Sequence, residues 1–251
     1  MRLKGKVGIV TASAGAGIGQ AAVRALAKEG ACVVVTDAHE RRTKEVVESI
    51  KSEGHKAIGM PCDVRKWERV QMVVKRTLEE FGRIDILVNN AGREILAPIV
   101  DTKEEDWDLV MDVCLKGTFL CTKAVLPTMI KQGGGSIVNI SSIDGWIGST
   151  MGECAYCSAK AGVMAFTRVT AAENAKYNIR ANCIAPGFVP NPFLERVYSK
   201  EALERMAGAS LLGRAATPQE IANIVVFLVS DEASYITGEA INASGGMYFR
   251  P

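Results

Sequence analysis

Histidine is scarce in this 251-residue chain: only His39 and His55 are present. Two imidazoles cannot furnish a His-rich metal site, and they leave few bases for a Ser-His triad. No metal is expected. The strings G-x-S-x-G and G-x-x-x-x-G-K-S/T are absent, which removes the nucleophile-elbow and P-loop readings. No apolar run reaches the ~18 residues that a membrane span needs; residues 224–229 are only a core-sized stretch. The first six residues lead straight into a strand pattern, without the apolar region of a secretory leader. Charge of one sign is lacking too. Thirty basic against 28 acidic residues leave +2, too balanced for a nucleic-acid footprint or an acidic tail. The seven cysteines are odd in number and scattered, which argues against a disulfide framework and for a reducing cytoplasm. What remains is a chain expected in the cytoplasm, with a small molecule rather than nucleic acid or membrane as its partner.

The composition that is present is globular. Hydrophobic residues make up 48% and charged residues 23%. The 24 glycines exceed the usual share of roughly 7%. Short β-branched runs at 7–10, 31–35, 84–88, 136–140, 179–185 and 240–242 read as buried strands, with 56–61 as a weaker one. Their near-continuous apolar character suits a parallel sheet covered on both faces. Helical patterns occupy 17–29, 40–53, 65–81, 104–131, 152–176 and 217–229. Gly30 and Gly54 fall where left-handed glycines stop helices, and Thr217-Pro218-Gln219-Glu220 reads as a capping box with a first-turn proline. The alternation predicts an α/β fold, a single doubly wound Rossmann-type domain over 1–251. Its parallel sheet has about seven strands, with helices on both faces.

Directly after the first strand comes Thr11-Ala12-Ser13-Ala14-Gly15-Ala16-Gly17-Ile18-Gly19. Glycines in a first strand-to-helix turn let the backbone approach a pyrophosphate, whose charge the free N–H groups and the helix dipole then bind. Ser13, Gly15, Gly17, Ile18 and Gly19 are the candidate contacts. Asp37 closes the second strand, roughly 20 residues on, where a carboxylate can accept hydrogen bonds from an adenosine ribose. It would repel a 2′-phosphate, so NAD is favoured over NADP. Arg41 and Arg42 follow and could cradle such a phosphate, although a solvated first helical turn explains them as well.

Further motifs come in a fixed order: Cys62-Asp63-Val64, Asn89-Asn90-Ala91-Gly92, Ile140-Ser141-Ser142, Tyr156-Cys157-Ser158-Ala159-Lys160, Pro186-Gly187, Ser234-Tyr235-Ile236-Thr237-Gly238 and Gly245-Gly246. With the glycine loop, they make the chain from about 4 to 246 resemble the short-chain dehydrogenase/reductase family. The resemblance implies hydride transfer on CH–OH groups with NAD or NADP, in a homotetramer. It places Asp63 and Val64 beside adenine, and Asn90, Ala91 and Gly92 on the cofactor floor. Pro186, Gly187 and Val189 are further cofactor contacts by the same resemblance. It makes Ser142, Tyr156 and Lys160 catalytic, the last two also touching the cofactor.

The spacing has a chemical use. Tyr156 and Lys160 stand four residues apart on a predicted helix and share a face. Free tyrosine titrates near 10, a poor base at neutral pH. An ammonium ~4.5 Å away, at an effective dielectric of ~20, favours the phenolate by ~3.7 kcal/mol, or ~2.7 pKa units. Tyr156 is then expected to exchange the proton while Ser142 holds the substrate oxygen.

Several positions depart from the family pattern. The glycine loop is one residue longer than usual, with Ala12 where the first glycine normally lies. Cys114 occupies the place of a fourth catalytic residue, an asparagine. A thiol is a weak donor and acceptor, so a weakened proton relay and reduced activity are expected. Asn191 stands near a usual threonine, and Ser244 where an aspartate often precedes the last glycines. Cys154-x-x-Cys157 brackets Tyr156, but no second pair or histidine completes a zinc set.

The substrate lid of the resembling family corresponds to about 191–212, which carries Phe193, Leu194, Val197, Tyr198, Leu203 and Met206. Trp146, Ile147 and Met151 are expected as a second apolar wall. Both favour a hydrophobic alcohol or ketone, such as a hydroxyacyl thioester or a steroid-like compound, and hence a place in lipid metabolism. The alternatives are an NADPH-dependent 3-oxoacyl thioester reductase and, in another class, a catalytically weakened dinucleotide sensor or scaffold.

Overall fold

The computed structural model describes residues 1–249, apart from the side chain of Glu195. Seven strands form one sheet: β1 (Val7–Val10), β2 (Cys32–Asp37), β3 (Ala57–Pro61), β4 (Ile86–Asn89), β5 (Gly135–Ile140), β6 (Ile179–Pro186) and β7 (Ala240–Ala243). All pairings are parallel, in the order β3-β2-β1-β4-β5-β6-β7. Parallel neighbours require crossovers, which α1 (Ile18–Lys28), α2 (Glu40–Ser52), α3 (Trp67–Phe81), α4 (Glu104–Met111), α5 (Gly117–Gln132), α6 (Cys154–Asn174) and α8 (Pro218–Val229) supply. A further helix, α7 (Lys200–Gly208), lies between β6 and α8.

Strand side chains alternate between two apolar layers. Ile86 and Val88 enter one with Ala22 and Leu26 of α1 and Ile221 and Val225 of α8. Leu87 enters the other with Val70 and Val73 of α3 and Val125 and Met129 of α5. Burial on both faces is why the strands read as continuous apolar runs. Gly30 and Gly54 take φ of +93° and +85°, and Thr217 and Glu220 exchange both capping-box hydrogen bonds.

Two elements differ from the sequence expectation. The single helix expected over 104–131 is divided by one π-helical turn, Asp112–Lys116. There the Thr118 hydroxyl donates to the Cys114 carbonyl four residues back, at 2.8 Å. Helix α7 was not anticipated; Ser199 caps it by accepting from the Ala202 N–H. No described helix is long and apolar enough to cross a membrane.

The strand order reverses between β1 and β4, and doubly wound sheets leave a ligand crevice at that switch point. Helix α1 starts unusually close to it. A Cβ on Gly19 would stand 2.3 Å from Asn90 Nδ2 and 2.5 Å from the Ala12 carbonyl, so only glycine fits.

Candidate active site

A cavity of about 690 Å³ opens at this crevice, within the range of small-molecule sites. Its first end is the glycine loop, where Gly15, Gly17, Ile18 and Gly19 all line the wall. Asn90 holds the loop in place: its Nδ2 donates to the carbonyls of Thr11 (3.1 Å) and Ala12 (3.0 Å). The N–H groups of Asn90 and Ala91 both reach Thr11 Oγ1. Ala12 has φ +48°, a left-handed conformation that costs an L side chain roughly 1–2 kcal/mol. The backbone thus keeps the shape of the missing glycine without the residue that makes it free.

Ser13 stands outside the cavity lining. It is fully buried, and its hydroxyl donates to the Val10 carbonyl (2.8 Å) and accepts from the Thr36 N–H (3.1 Å), tying β1 to β2. Asp63, Val64 and Ala91 also stand outside the cavity lining. Arg65 binds Asp63 at 2.7 Å and holds its carboxyl below the usual range. Val64 is buried against Gly117, and Ala91 packs on the apolar layer under β4. Asp37, in contrast, lines the cavity. Its Oδ2 accepts from the Ala14 N–H (3.2 Å) and its Oδ1 from the His39 N–H (3.0 Å). Arg42 pairs with it at 3.6 Å, while Arg41 pairs with Glu45 on the surface.

These groups suit a nicotinamide dinucleotide. A Cβ on Gly15 would meet nothing within 4 Å, the start of α1 presents free N–H groups to a pyrophosphate, and an aligned carboxylate faces the ribose position. No group of three or more metal-ligating side chains occurs among the described residues.

The middle of the cavity gathers Ser142, Tyr156 and Lys160. The fold clamps them together from two sides. Ser141, at the exit of β5, donates to the Lys160 carbonyl at 2.8 Å. A Cβ on Gly145 would stand 2.9 Å from the Ala161 nitrogen, so the turn after Ser142 lies directly on α6. Lys160 is buried; its Nζ donates to the Ile140 carbonyl at 2.8 Å and stands 5.3 Å from the centre of the Tyr156 ring.

The Tyr156 phenol is pushed well above its ordinary value of 10, first by burial and then by Cys114, Glu94 and Asp144, with a hydrogen bond to Ser142 easing the rise. The depression expected from Lys160 alone is outweighed. Desolvation and the acidic groups contributed by other loops act against the lysine.

Cys114 is buried in the π-helical turn. Its Sγ accepts from the Arg93 N–H and donates to the Arg93 carbonyl, both at 3.3 Å. It therefore pins the turn to the loop after β4. All seven cysteines are free thiols; burial and the neighbouring carboxylates push Cys157 up to about 11, leaving it a thiol at neutral pH.

The far end of the cavity is acidic. Glu94, Asp144 and Glu153 line it, with Tyr198 and the apolar Phe193, Leu194 and Met206. Tyr198 reaches Glu94 Oε1 at 2.9 Å and Glu153 Oε1 at 2.5 Å. A phenol has one proton to donate, so holding both carboxyls requires a second proton on one of them. Glu94 is the group that holds it: burial, then Glu153, push it up to about 8.

The acids were missed by sequence reasoning. Each is adjacent to a motif: Glu94 follows Asn-Asn-Ala-Gly, Asp144 is two residues past Ser142, and Glu153 three before Tyr156. The expected wall of Trp146, Ile147 and Met151 does not line the cavity. Trp146 stacks on Tyr248 with ring centres 5.3 Å apart, Ile147 joins the same cluster, and Met151 is exposed. Of the lid residues, Val197 and Leu203 also stand outside it. Asn191 lines the cavity beside Gly17, its Oδ1 accepting from the N–H groups of Phe193 and Leu194. Pro186, Gly187, Val189 and Gly92 line the wall as expected.

A glycine loop at the switch point, leading to serine, tyrosine and lysine in one cavity, defines a nucleotide-dependent oxidoreductase of the doubly wound α/β class. Comparison with known proteins carries this further. A family model described as enoyl-(acyl carrier protein) reductase matches residues 12–248. The chain is 42% identical to 3-oxoacyl-(acyl-carrier-protein) reductase FabG of Thermotoga maritima, over 98% of this chain and 99% of that protein. It is 38% identical to cyclopentanol dehydrogenase of a Comamonas species, over 98% of both. The crystal structure of gox2181 superposes with a TM-score of 0.94 at 37% identity, covering 98% of this chain and 96% of that one. The chain belongs to the short-chain dehydrogenase/reductase family, whose members transfer hydride between a nicotinamide cofactor and a hydroxyl or keto carbon.

Proposed function

We propose that this chain is an NAD-linked oxidoreductase of a secondary alcohol or ketone in which Tyr156 is the general acid and base. The observation that carries this is the meeting of Ser142, Tyr156 and Lys160 in one cavity whose other end is closed by Asp37. The nicotinamide, when bound, supplies the hydride acceptor or donor. Tyr156 takes the substrate's hydroxyl proton in oxidation and returns it in reduction. Ser142 holds the substrate oxygen. Lys160, with one donor taken by Ile140, has two left for the cofactor and the phenol. Asp37 and the loop glycines bind the dinucleotide, with Asn90, Gly92, Pro186, Gly187 and Val189 along the wall.

The carboxylate of Asp37, aligned by two backbone N–H groups, supports NAD over NADP. A second reading, an NADPH-dependent 3-oxoacyl thioester reductase, is favoured by Arg42 lining the cavity beside Asp37 and by the Thermotoga relative. For the substrate we assign an apolar body, hydroxyacyl or steroid-like, facing Phe193, Leu194 and Met206. Its negative groups must lie away from the carbons next to Tyr156, where Glu94, Asp144 and Glu153 crowd. Residues 191–212 act as the lid of a single functional domain.

A cytoplasmic homotetramer fits the free thiols and the exposed Phe119 and Val169 on α5 and α6; light scattering tests the assembly. The activity is tested by a panel of alcohols and ketones with each cofactor, followed by the absorbance of the reduced nicotinamide. Turnover with NADPH preferred would replace the first reading by the second. Tight NAD binding with no turnover would make the chain a sensor.

A further inference from the structure

Among the described residues, three arginines line the cavity: Arg42, Arg93 and Arg196. Arg42 is paired with Asp37 at the cofactor end. The other two stand beside Phe193 at the substrate end, and both are exposed. Neither guanidinium has an ion pair or a hydrogen bond among the described residues. The nearest acids of that wall are engaged elsewhere: Glu94 and Glu153 hold Tyr198 at 2.9 and 2.5 Å. An unpaired cation in a cavity wall is charge available to a ligand.

Arg93 is also held in place. Cys114 Sγ accepts from its N–H and donates to its carbonyl, both at 3.3 Å, and its guanidinium carbon stands 5.3 Å from the centre of the Phe193 ring. A cation–π contact uses the charge but takes none of the five N–H donors. The fork that matches a carboxylate or a phosphate therefore stays open. Arg196 borders the same ring through the main chain, its N–H donating to the Phe193 carbonyl at 3.0 Å. Two cations thus flank one aromatic side chain of the apolar wall, and donors already held in place lose little freedom when a ligand arrives.

Resting on the reading of an alcohol or ketone that reacts at Tyr156, we propose that Arg93 and Arg196 bind an oxyanion, carboxylate or phosphate, at the outer end of the substrate. The substrate class is then an amphipathic hydroxy compound. Its reacting carbon sits at Tyr156, its apolar body runs along Phe193, Leu194 and Met206, and its negative terminus meets the two arginines. The arrangement keeps like charges apart, because Glu94, Asp144 and Glu153 crowd the region near Tyr156. It also selects: a neutral alcohol fills the apolar wall but leaves both guanidinium groups without a partner.

The test compares medium-chain acids hydroxylated on the penultimate carbon with their methyl esters, using the full chain with NAD and with NADP. The wild type should favour the acid about tenfold in kcat/KM. Arg93→Met keeps an apolar stem against Phe193 and removes the charge. The acid-to-ester ratio should fall about threefold there and in Arg196→Met, and reach about one in the double variant. Added salt should shrink the wild-type ratio. The monophosphate of the matching diol separates the two sources. Preferred over the carboxylate, it assigns the clamp to a phosphate-bearing conjugate; the reverse order assigns it to a free hydroxy acid. A wild-type ratio of one, or variants that slow acid and ester alike, overturns the clamp. So does an equal loss of NAD affinity in Arg93→Met, which would give the arginine to the pyrophosphate. Calorimetric binding of acid and ester to the NAD complex reads the same ratio without turnover. Acid preferred in binding, with no turnover of any probe by either cofactor, upholds the clamp and overturns instead the reading on which it rests.

Discussion

At the cofactor end of the cavity the main chain makes the contacts; at the substrate end ionisable side chains do. Asp37 is aligned by the N–H groups of Ala14 and His39, and Asn90 grips the loop carbonyls of Thr11 and Ala12. Those contacts follow from where the strands end. At the other end Glu94, Glu153 and Tyr198 hold together only by sharing protons in a poorly hydrated space. The first end therefore sets what cofactor is bound, through geometry. The second ties Tyr198 to Glu94 and Glu153 through protonation.

The sharpest way to separate the two ends is Tyr156→Phe. Turnover should fall about 10²- to 10⁴-fold, while NAD affinity, read by fluorescence titration, stays within a few-fold. A parallel loss of both would mean that the ends are not independent. Asp37→Ala should act in the opposite sense. Hydrogen bonds to a charged group contribute about 1.5–3 kcal/mol, so the KM for NAD should rise about 10- to 100-fold with substrate KM little changed, and discrimination against NADP should shrink.

The acidic clasp gives a pH signature. Burial and Glu153 push Glu94 up to about 8, against an ordinary value near 4.5. A raised carboxyl favours the clasped arrangement with Tyr198 most at low pH, and that preference is lost as pH rises through about 8. Substrate KM should accordingly climb between about 4.5 and about 8 in the wild type and level off above, and stay level throughout in Glu94→Gln, whose side chain is permanently neutral. Tyr198→Phe should raise substrate KM about fivefold at neutral pH, the equivalent of one hydrogen bond of about 1 kcal/mol. Equal pH dependence in wild type and Glu94→Gln would remove the clasp from the account. The smallest effect belongs to Ala12→Gly. Relief of the left-handed alanine, less the added chain entropy, should stabilise by up to about 1 kcal/mol, or about 2–4 °C in Tm.

The two ends also differ in how legible they were. The strands, the stops at Gly30 and Gly54 and the Thr217 capping box are local in the chain, and each appears where its residues predict. So do the loop glycines, Asp37 and the Ser142, Tyr156 and Lys160 set. The failures depend on distant partners. Ser13 reads as a phosphate donor until the exit of β2 takes its hydroxyl. Trp146 reads as a pocket wall until Tyr248, a hundred residues on, covers it. The π-helical turn hides inside an unbroken helical pattern, and the Arg93 backbone that Cys114 bonds lies in a distant loop. The direction of the Tyr156 shift was missed because Glu94 and Asp144 arrive from two other loops. Helix α7 carries few apolar residues, and its one buried side chain is Ala202, so no apolar stripe announces it.

The most direct test is a set of initial rates for secondary-alcohol oxidation with NAD and NADP, measured across pH. We expect NAD to be preferred at least about tenfold, the equivalent of one charged hydrogen bond. Because the raised Tyr156 phenol must ionise, the rate should also increase with pH through the neutral range. A preference for NADP, or a rate that is flat in pH, would contradict Asp37 as the cofactor selector or Tyr156 as the base.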